Sequence, residues 1–344
     1  MTTSSCSRTV ILLLTLASAA SAQTTQTPPT DPEPLRIGPV TLSGYLQADA
    51  LKVNGDDLEE QNDTFRIRRM RVTLTGDLAP KVGWAFSLEA AGPNAHLRDA
   101  FVVLRFSPAA TVRIGQFYQP FMLDRLTSTS RTEVIDRAFF TDRIALTRDP
   151  GVMLYNTRPF YGWLLYSLDV SNGSGMNVSD NNDAKDVTGR VVAAPKALGG
   201  LAIGANVSSG EQPEGTRTRS GIDVSIDKRR FKLVVEGVRE RSDGTGPDRD
   251  GYYVLGVYRF HPKQVTRHFR MAEVAMRFTA LDDPGAARVA TSAQSLIPST
   301  TRELQAGGNY YVNRNVRFMA NIIVPADDRT APSSTLISRM QIMF

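Results

Sequence analysis

The sequence predicts an all-β chain closed into a sixteen-stranded antiparallel transmembrane β-barrel. Three observations predict it. Apolar and polar residues alternate with period two in segments of about ten residues, short and long connections alternate between those segments, and no run in the interior could form a membrane-spanning helix.

The first element is an export signal over residues 1–22. Arg8 supplies the positive region, Val10 to Leu16 the apolar run, and Ala20-Ser21-Ala22 the small residues before the cut. Cys6, the one cysteine, falls inside it, so the mature chain would hold no disulfide, thiolate metal site or cysteine nucleophile. Residues 23–37 are rich in Thr and Pro and read as a flexible periplasmic leader. The barrel is expected over 38–344.

The strands follow in order. Leu42, Leu46 and Ala50 alternate with Ser43, Tyr45, Gln47 and Asp49; Met70, Val72 and Leu74 with Arg69, Arg71, Thr73 and Thr75; Trp84, Phe86 and Leu88 with Ala85, Ser87 and Glu89. The same period marks Leu201 to Val207, Ile222 to Ile226, Phe231 to Val235, Val316 to Ile322 and Leu336 to Phe344. Such segments fit strands with lipid on one face and water on the other. Phe65 and Ile67 fall in phase with Arg69 and Arg71, which predicts a bulge near Arg68. Val187–Ala194 and Tyr252–Phe260 could face either way. Short turns at 77–81, 107–110, 195–200, 227–230 and 313–315 separate longer polar loops at 54–63, 119–150, 171–187, 209–218, 241–250, 281–300 and 325–334.

The charge points to the lumen's chemistry. The formal net charge is +5, and seven of the 40 basic residues are Lys, leaving 33 Arg. If Met70, Val72 and Leu74 face lipid, Arg69 and Arg71 face water. The same phase turns Arg105, Arg113, Arg277, Arg317 and Arg339 inward. A guanidinium on the lipid face would cost about 2–4 kcal/mol near the midplane. Inward arginines would attract small anions; alternatively they brace the wall by pairing with Glu89, Asp99, Asp223, Glu236 and Glu273, which share their phase. Nucleic acid is not an expected partner of an exported chain, and the sequence names no cofactor and no metal site.

The longest connection, 119–150, interleaves Arg125, Arg131, Arg137, Arg143 and Arg148 with Asp124, Glu133, Asp136, Asp142 and Asp149. Folded inward it would narrow the pore, with Arg125, Arg131 and Arg137 at the constriction. Folded outward it would be a solvated cap.

Several motifs carry a family resemblance. Phe65-Arg-Ile-Arg-Arg-Met-Arg-Val-Thr-Leu-Thr-Gly76, Leu97-Arg-Asp-Ala-Phe101 and Arg113-Ile-Gly-Gln-Phe-Tyr-Gln-Pro-Phe121 resemble the phosphate-selective porin O and P family of bacterial outer-membrane porins. So do Arg148-Asp-Pro-Gly-Val152 and Gly308-Asn-Tyr-Tyr-Val-Asn-Arg-Asn-Val-Arg-Phe-Met-Ala-Asn321. The resemblance implies a homotrimer in the outer membrane, among lipid and lipopolysaccharide, with the long loop folded inward and arginines guiding small anions such as phosphate. It also implies delivery by the outer-membrane assembly machinery through the terminal Phe344. One departure is the scarcity of lysine.

Two other classes remain in view. A barrel hydrolase would need a Ser–His pair, for which His96 is the one candidate near the rim; an adhesion or structural barrel would be plugged by its loop and would not conduct. Neither a Gly-x-Ser-x-Gly elbow nor a His-Glu-x-x-His helix occurs, so the chain reads as no enzyme. The aromatics near strand ends fit interfacial girdles better than a sugar slide.

Overall fold

The computed structural model describes residues 32–54, 63–212, 215–246, 248–266, 268–283, 302–326 and 334–344. A short strand, β1 (Leu35–Ile37), precedes β2 (Val40–Asn54), β3 (Thr64–Ala79), β4 (Val82–Glu89), β5 (His96–Arg105), β6 (Thr111–Tyr118), β7 (Arg148–Tyr155), β8 (Leu164–Ser171) and β9 (Asp186–Ala193). The second half holds β10 (Leu201–Gln212), β11 (Gly215–Asp227), β12 (Phe231–Ser242), β13 (Arg249–Phe260), β14 (Met271–Asp282), β15 (Arg302–Tyr311), β16 (Val316–Pro325) and β17 (Ser334–Met343). From β2 onward each strand pairs antiparallel with its chain neighbours, and β17 pairs with β2. The sixteen strands thus form a ring without an edge. Lipid supplies no partner for N–H and C=O groups, so closure is what makes such a sheet viable in a membrane.

The seam depends on two residues. Gly44 and Phe344 exchange backbone hydrogen bonds, Gly44 N to Phe344 O at 2.9 Å and Phe344 N to Gly44 O at 3.1 Å. The Phe344 ring lies over Gly44, where a Cβ would come within 2.6 Å of it, so only glycine leaves room.

Alternation sorts the faces as expected. Phe65, Met70, Val152, Ile203, Ile222 and Met340 are exposed outward, while Gln47, Asp49, Glu89, Asp223, Glu236 and Glu273 are buried inside. Between β2 and β3 the register slips: Gln47 faces Arg69 and Ala48 faces Ile67, leaving Arg68 as the extra residue. The expected bulge therefore sits at Arg68.

Some boundaries differ from the sequence reading. The leader ends before residue 37, because Gly38, at φ 58°, lets Leu35–Ile37 fold back on Val40–Leu42 as β1. The long loop spans 119–147 rather than 119–150, since Arg148, Asp149 and Pro150 pair with Tyr118, Phe117 and Gln116. Strands β10 and β11 run on through polar residues to Gln212 and Gly215. Polarity on both faces reads as loop, yet strands that stand above the bilayer have water on both sides. Residues 1–31, where the export signal and most of the leader are expected, lie outside the described residues, as do most of the loops expected at 54–63, 281–300 and 325–334.

The barrel is not hollow throughout. Residues 119–147 fold inward as two short helical turns, α1 (Leu123–Leu126) and α2 (Thr141–Ile144), joined by irregular chain. Phe121, Met122, Phe139, Phe140 and Ile144 pack on the inner face of the barrel, against Val234 and Val238 of β12 and Tyr253, Leu255 and Val257 of β13. A loop carrying that much apolar surface could not remain in water. Its docking explains why Tyr252–Phe260 is apolar on both faces: one side meets lipid, the other meets the loop.

Candidate functional site

The bulge shapes the arginine wall. An extra residue in a strand places two consecutive side chains on one face. Arg66, Arg68, Arg69 and Arg71 therefore all reach the interior from β3, while Phe65, Ile67 and Met70 face outward. Few carboxylates answer them. Arg71 Nη2 meets Glu89 Oε2 at 3.0 Å, Arg66 Nη2 meets Asp49 Oδ2 at 3.4 Å, and Arg68 Nε lies 3.9 Å from Asp136 Oδ1. Arg69 Nε donates to the Thr129 hydroxyl of the loop at 3.3 Å. Asp49 is already gripped by Arg339 at 2.7 Å, so its hold on Arg66 is secondary.

The loop faces this wall and is held from behind. A chain segment without regular structure leaves its carbonyls without backbone donors, and those buried must find others. Three of the arginines placed inward by phase supply them. Arg277 donates to Asp136 O at 2.8 Å and Arg137 O at 2.7 Å; Arg317 to Thr132 O at 2.9 Å and Ser130 O at 3.2 Å; Arg339 to Ile135 O at 2.7 Å. Gln47 reaches Thr129 O at 3.0 Å and Asn309 reaches Glu133 O at 2.7 Å. Asn321 accepts from Ile135 N, and Glu236 accepts from Leu123 N and Asp124 N. The expectation that Arg277, Arg317 and Arg339 line open water is thereby corrected: they are buried to 2% exposure or less and carry the loop.

Of the loop's own arginines, two brace it internally. Arg137 donates to Asp124 O at 2.9 Å and Arg125 O at 3.0 Å, while Arg125 reaches Thr141 O and Asp142 Oδ1, both at 2.7 Å. Arg131 is half-buried, its N–H bonded to Ser128 O at 2.8 Å. Burial opposes ionisation of Asp136, but Arg339, Arg68, Arg69 and Arg66 outweigh it and hold that carboxyl below its usual range.

Arg105 and Arg113 lie apart from the constriction. Arg105 sits at the short-turn end and pairs with Asp77 at 2.7 Å. Arg113 is 7% exposed and lies over Phe101, Phe117 and Tyr155, at 4.3, 5.5 and 5.2 Å from their centroids, which makes it part of an interior aromatic cluster. His96 Nδ1 meets the Asn94 carbonyl at 3.4 Å.

Phase alone missed several groups. Arg66 was legible in the alternation of Phe65 and Ile67. Arg68 needed the bulge. Arg148, which the sequence places in the loop, stands at the start of β7, grips both oxygens of Asp99 at 2.8 and 2.9 Å and lies 3.6 Å above the Tyr118 ring.

A closed barrel of sixteen antiparallel strands, its longest loop folded into the lumen opposite an arginine-bearing wall, defines an outer-membrane porin. The chain belongs to the family described as phosphate-selective porin O and P, whose model matches residues 40–229 and 228–344. Among solved structures it is similar to an anion-selective porin from Comamonas acidovorans (14% identity, TM-score 0.62, 89% of this chain and 99% of that one). It is also similar to OprB of Pseudomonas putida (10% identity, TM-score 0.65, 88% and 93%) and to the trimer form of OmpT of Vibrio cholerae (9%, 0.57, 89% and 99%). A curated relative, an uncharacterized protein of Caulobacter vibrioides, is 35% identical over 137 residues, which is 38% of this chain and 27% of that protein.

Proposed function

We propose that this porin forms a water-filled channel for passive diffusion of small anions, phosphate or other oxyanions among them. One observation carries the reading: Arg66, Arg68, Arg69 and Arg71 converge from a single strand on the lumen, and among the described residues the carboxylates that answer them are those of Glu89, Asp49 and Asp136. A surplus of fixed cations in a narrow passage concentrates anions and repels cations. Guanidinium also offers a planar fork that suits oxyanions. The anion-selective neighbour and the phosphate-selective family description agree with this direction. The proposal includes a homotrimer, as the trimeric neighbour supports, an outer-membrane location after removal of residues 1–22, and assembly through the Phe344 end.

The test is the reversal potential in planar bilayers under a salt gradient, with chloride and then phosphate as the anion. Anion preference is expected, and it should shrink when Arg69 and Arg71 are both exchanged for Ala. A cation-favouring reversal potential in the unmodified protein would overturn the reading.

A further inference from the structure

The short-turn end of the barrel, which faces the periplasm in proteins of this architecture, carries an uneven charge. Between β11 and β12 the turn consists of Lys228, Arg229 and Arg230, all exposed. Around the same arc follow Lys263 in the β13–β14 turn and Arg314 in the β15–β16 turn, also exposed. None of these five side chains forms an ion pair among the described residues. The β11–β12 turn meets the end of β13, where Arg259 N donates to the Arg230 carbonyl at 2.8 Å two residues before His261. The remaining short turns hold at most one exposed cation each, Lys81, Arg158 and Lys196, amid neutral residues such as Phe106, Ser107 and Pro108.

Three features place this cluster at headgroup depth rather than in the pore. Directly beside it, on the lipid face, stand Phe231, Phe260 and Tyr310, at 62%, 48% and 43% exposure. Exposed rings at strand ends mark the membrane–water interface. The β11–β12 and β15–β16 turns, residues 228–230 and 312–315, are too short to reach far beyond that belt. On the lumen side of the same strands, Arg259 is neutralised by Asp227 at 2.6 Å, so the uncompensated charge belongs to the perimeter.

We infer that the Lys228–Arg230 turn, with Lys263 and Arg314, binds the phosphate headgroups of anionic phospholipids in the periplasmic leaflet. Five cations without carboxylates next to an aromatic belt supply both parts of such a site: the rings seat at the carbonyl level and the cations meet phosphate just outside it. The site is an arc of the wall, so it would order lipid along one side of the barrel.

The experiment embeds the purified full chain in phosphatidylethanolamine nanodiscs with and without phosphatidylglycerol. Native mass spectrometry then counts lipids retained after gentle release. Retained phosphatidylglycerol is expected, displaced by rising salt. A K228Q/R229Q/R230Q/K263Q variant should lose that retention, by about fivefold in affinity for each charge. A K81Q/R158Q control should keep it. If the quadruple variant fails to assemble, R229Q and K263Q alone replace it, with the same expected direction. Equal retention in variant and unmodified protein would overturn the inference, as would equal loss in the control. A change in reversal potential without a change in lipid retention would also overturn it, assigning these cations to conduction.

Discussion

Arg339 holds both carboxylate oxygens of Asp49, at 2.7 and 2.9 Å, and with its remaining nitrogen the Ile135 carbonyl at 2.7 Å. One guanidinium thus ties β17 to β2 across the barrel seam and ties the loop to both. The Asp49 side chain is fully buried, and Arg66 touches it only at 3.4 Å. Exchanging Arg339 for Ala leaves a buried carboxylate poorly compensated, which costs about 3–5 kcal/mol. A lower unfolding temperature and noisier single-channel current are expected together. Unchanged current noise would mean that the loop is held without it.

Deletion of Arg68 is a cleaner probe of the wall. Without the extra residue, Phe65, Ile67 and Met70 keep their outward phase, and Arg66, Arg69 and Arg71 keep theirs. The barrel should assemble, since removing a bulge restores a regular ladder. Anion preference should fall by the weight of one lumenal charge. If the shortened chain fails to assemble, the bulge serves the strand's curvature as well as its charge.

Wall and loop arginines should separate by phenotype. Arg71 is paired to one carboxylate and faces the gap, whereas Arg317 spends its nitrogens on Thr132 O, Ser130 O, Gln341 Oε1 and the Tyr311 hydroxyl. Exchanging Arg71 for Ala should shift the reversal potential with little change in thermal stability. Exchanging Arg317 for Ala should do the reverse, destabilising the barrel by several kcal/mol because buried carbonyls lose charged donors. Matched reversal-potential shifts in the two variants would remove this division of labour.

Much of this was legible in the residues. Period two marks the strands, and the conflict in phase between Phe65–Ile67 and Arg69–Arg71 marks the bulge. Phase also set Arg277, Arg317 and Arg339 inside. It did not show that they end beneath a loop, because alternation reports which face a side chain takes and not what it meets there. A sign was nonetheless present. The loop carries Phe121, Met122, Phe139, Phe140 and Ile144, too apolar for a solvated cap, and Tyr252–Phe260 is apolar on both faces. Those two anomalies answer each other. Arg113 had no comparable sign, since its cage of Phe101, Phe117 and Tyr155 is assembled from three strands.

That apolar dock yields a test that alters no charge. A Cβ at Gly251, on the lumen face of β13, would come within 2.9 Å of the Phe140 ring, and Phe140 is fully buried. Exchanging Gly251 for Ala must therefore push the loop inward or strain the strand, at about 1–3 kcal/mol. Conductance should fall while anion preference persists, because the wall arginines are untouched. Exchanging Phe140 for Ala alone leaves a cavity and costs about 3–5 kcal/mol. In the double variant the new methyl group enters the space that the ring has left, so the combined loss should be smaller than the two single losses added together. Residues in contact are where additivity fails. Losses that simply add would show that Gly251 and Phe140 do not meet, and the loop would then have to dock elsewhere on the wall.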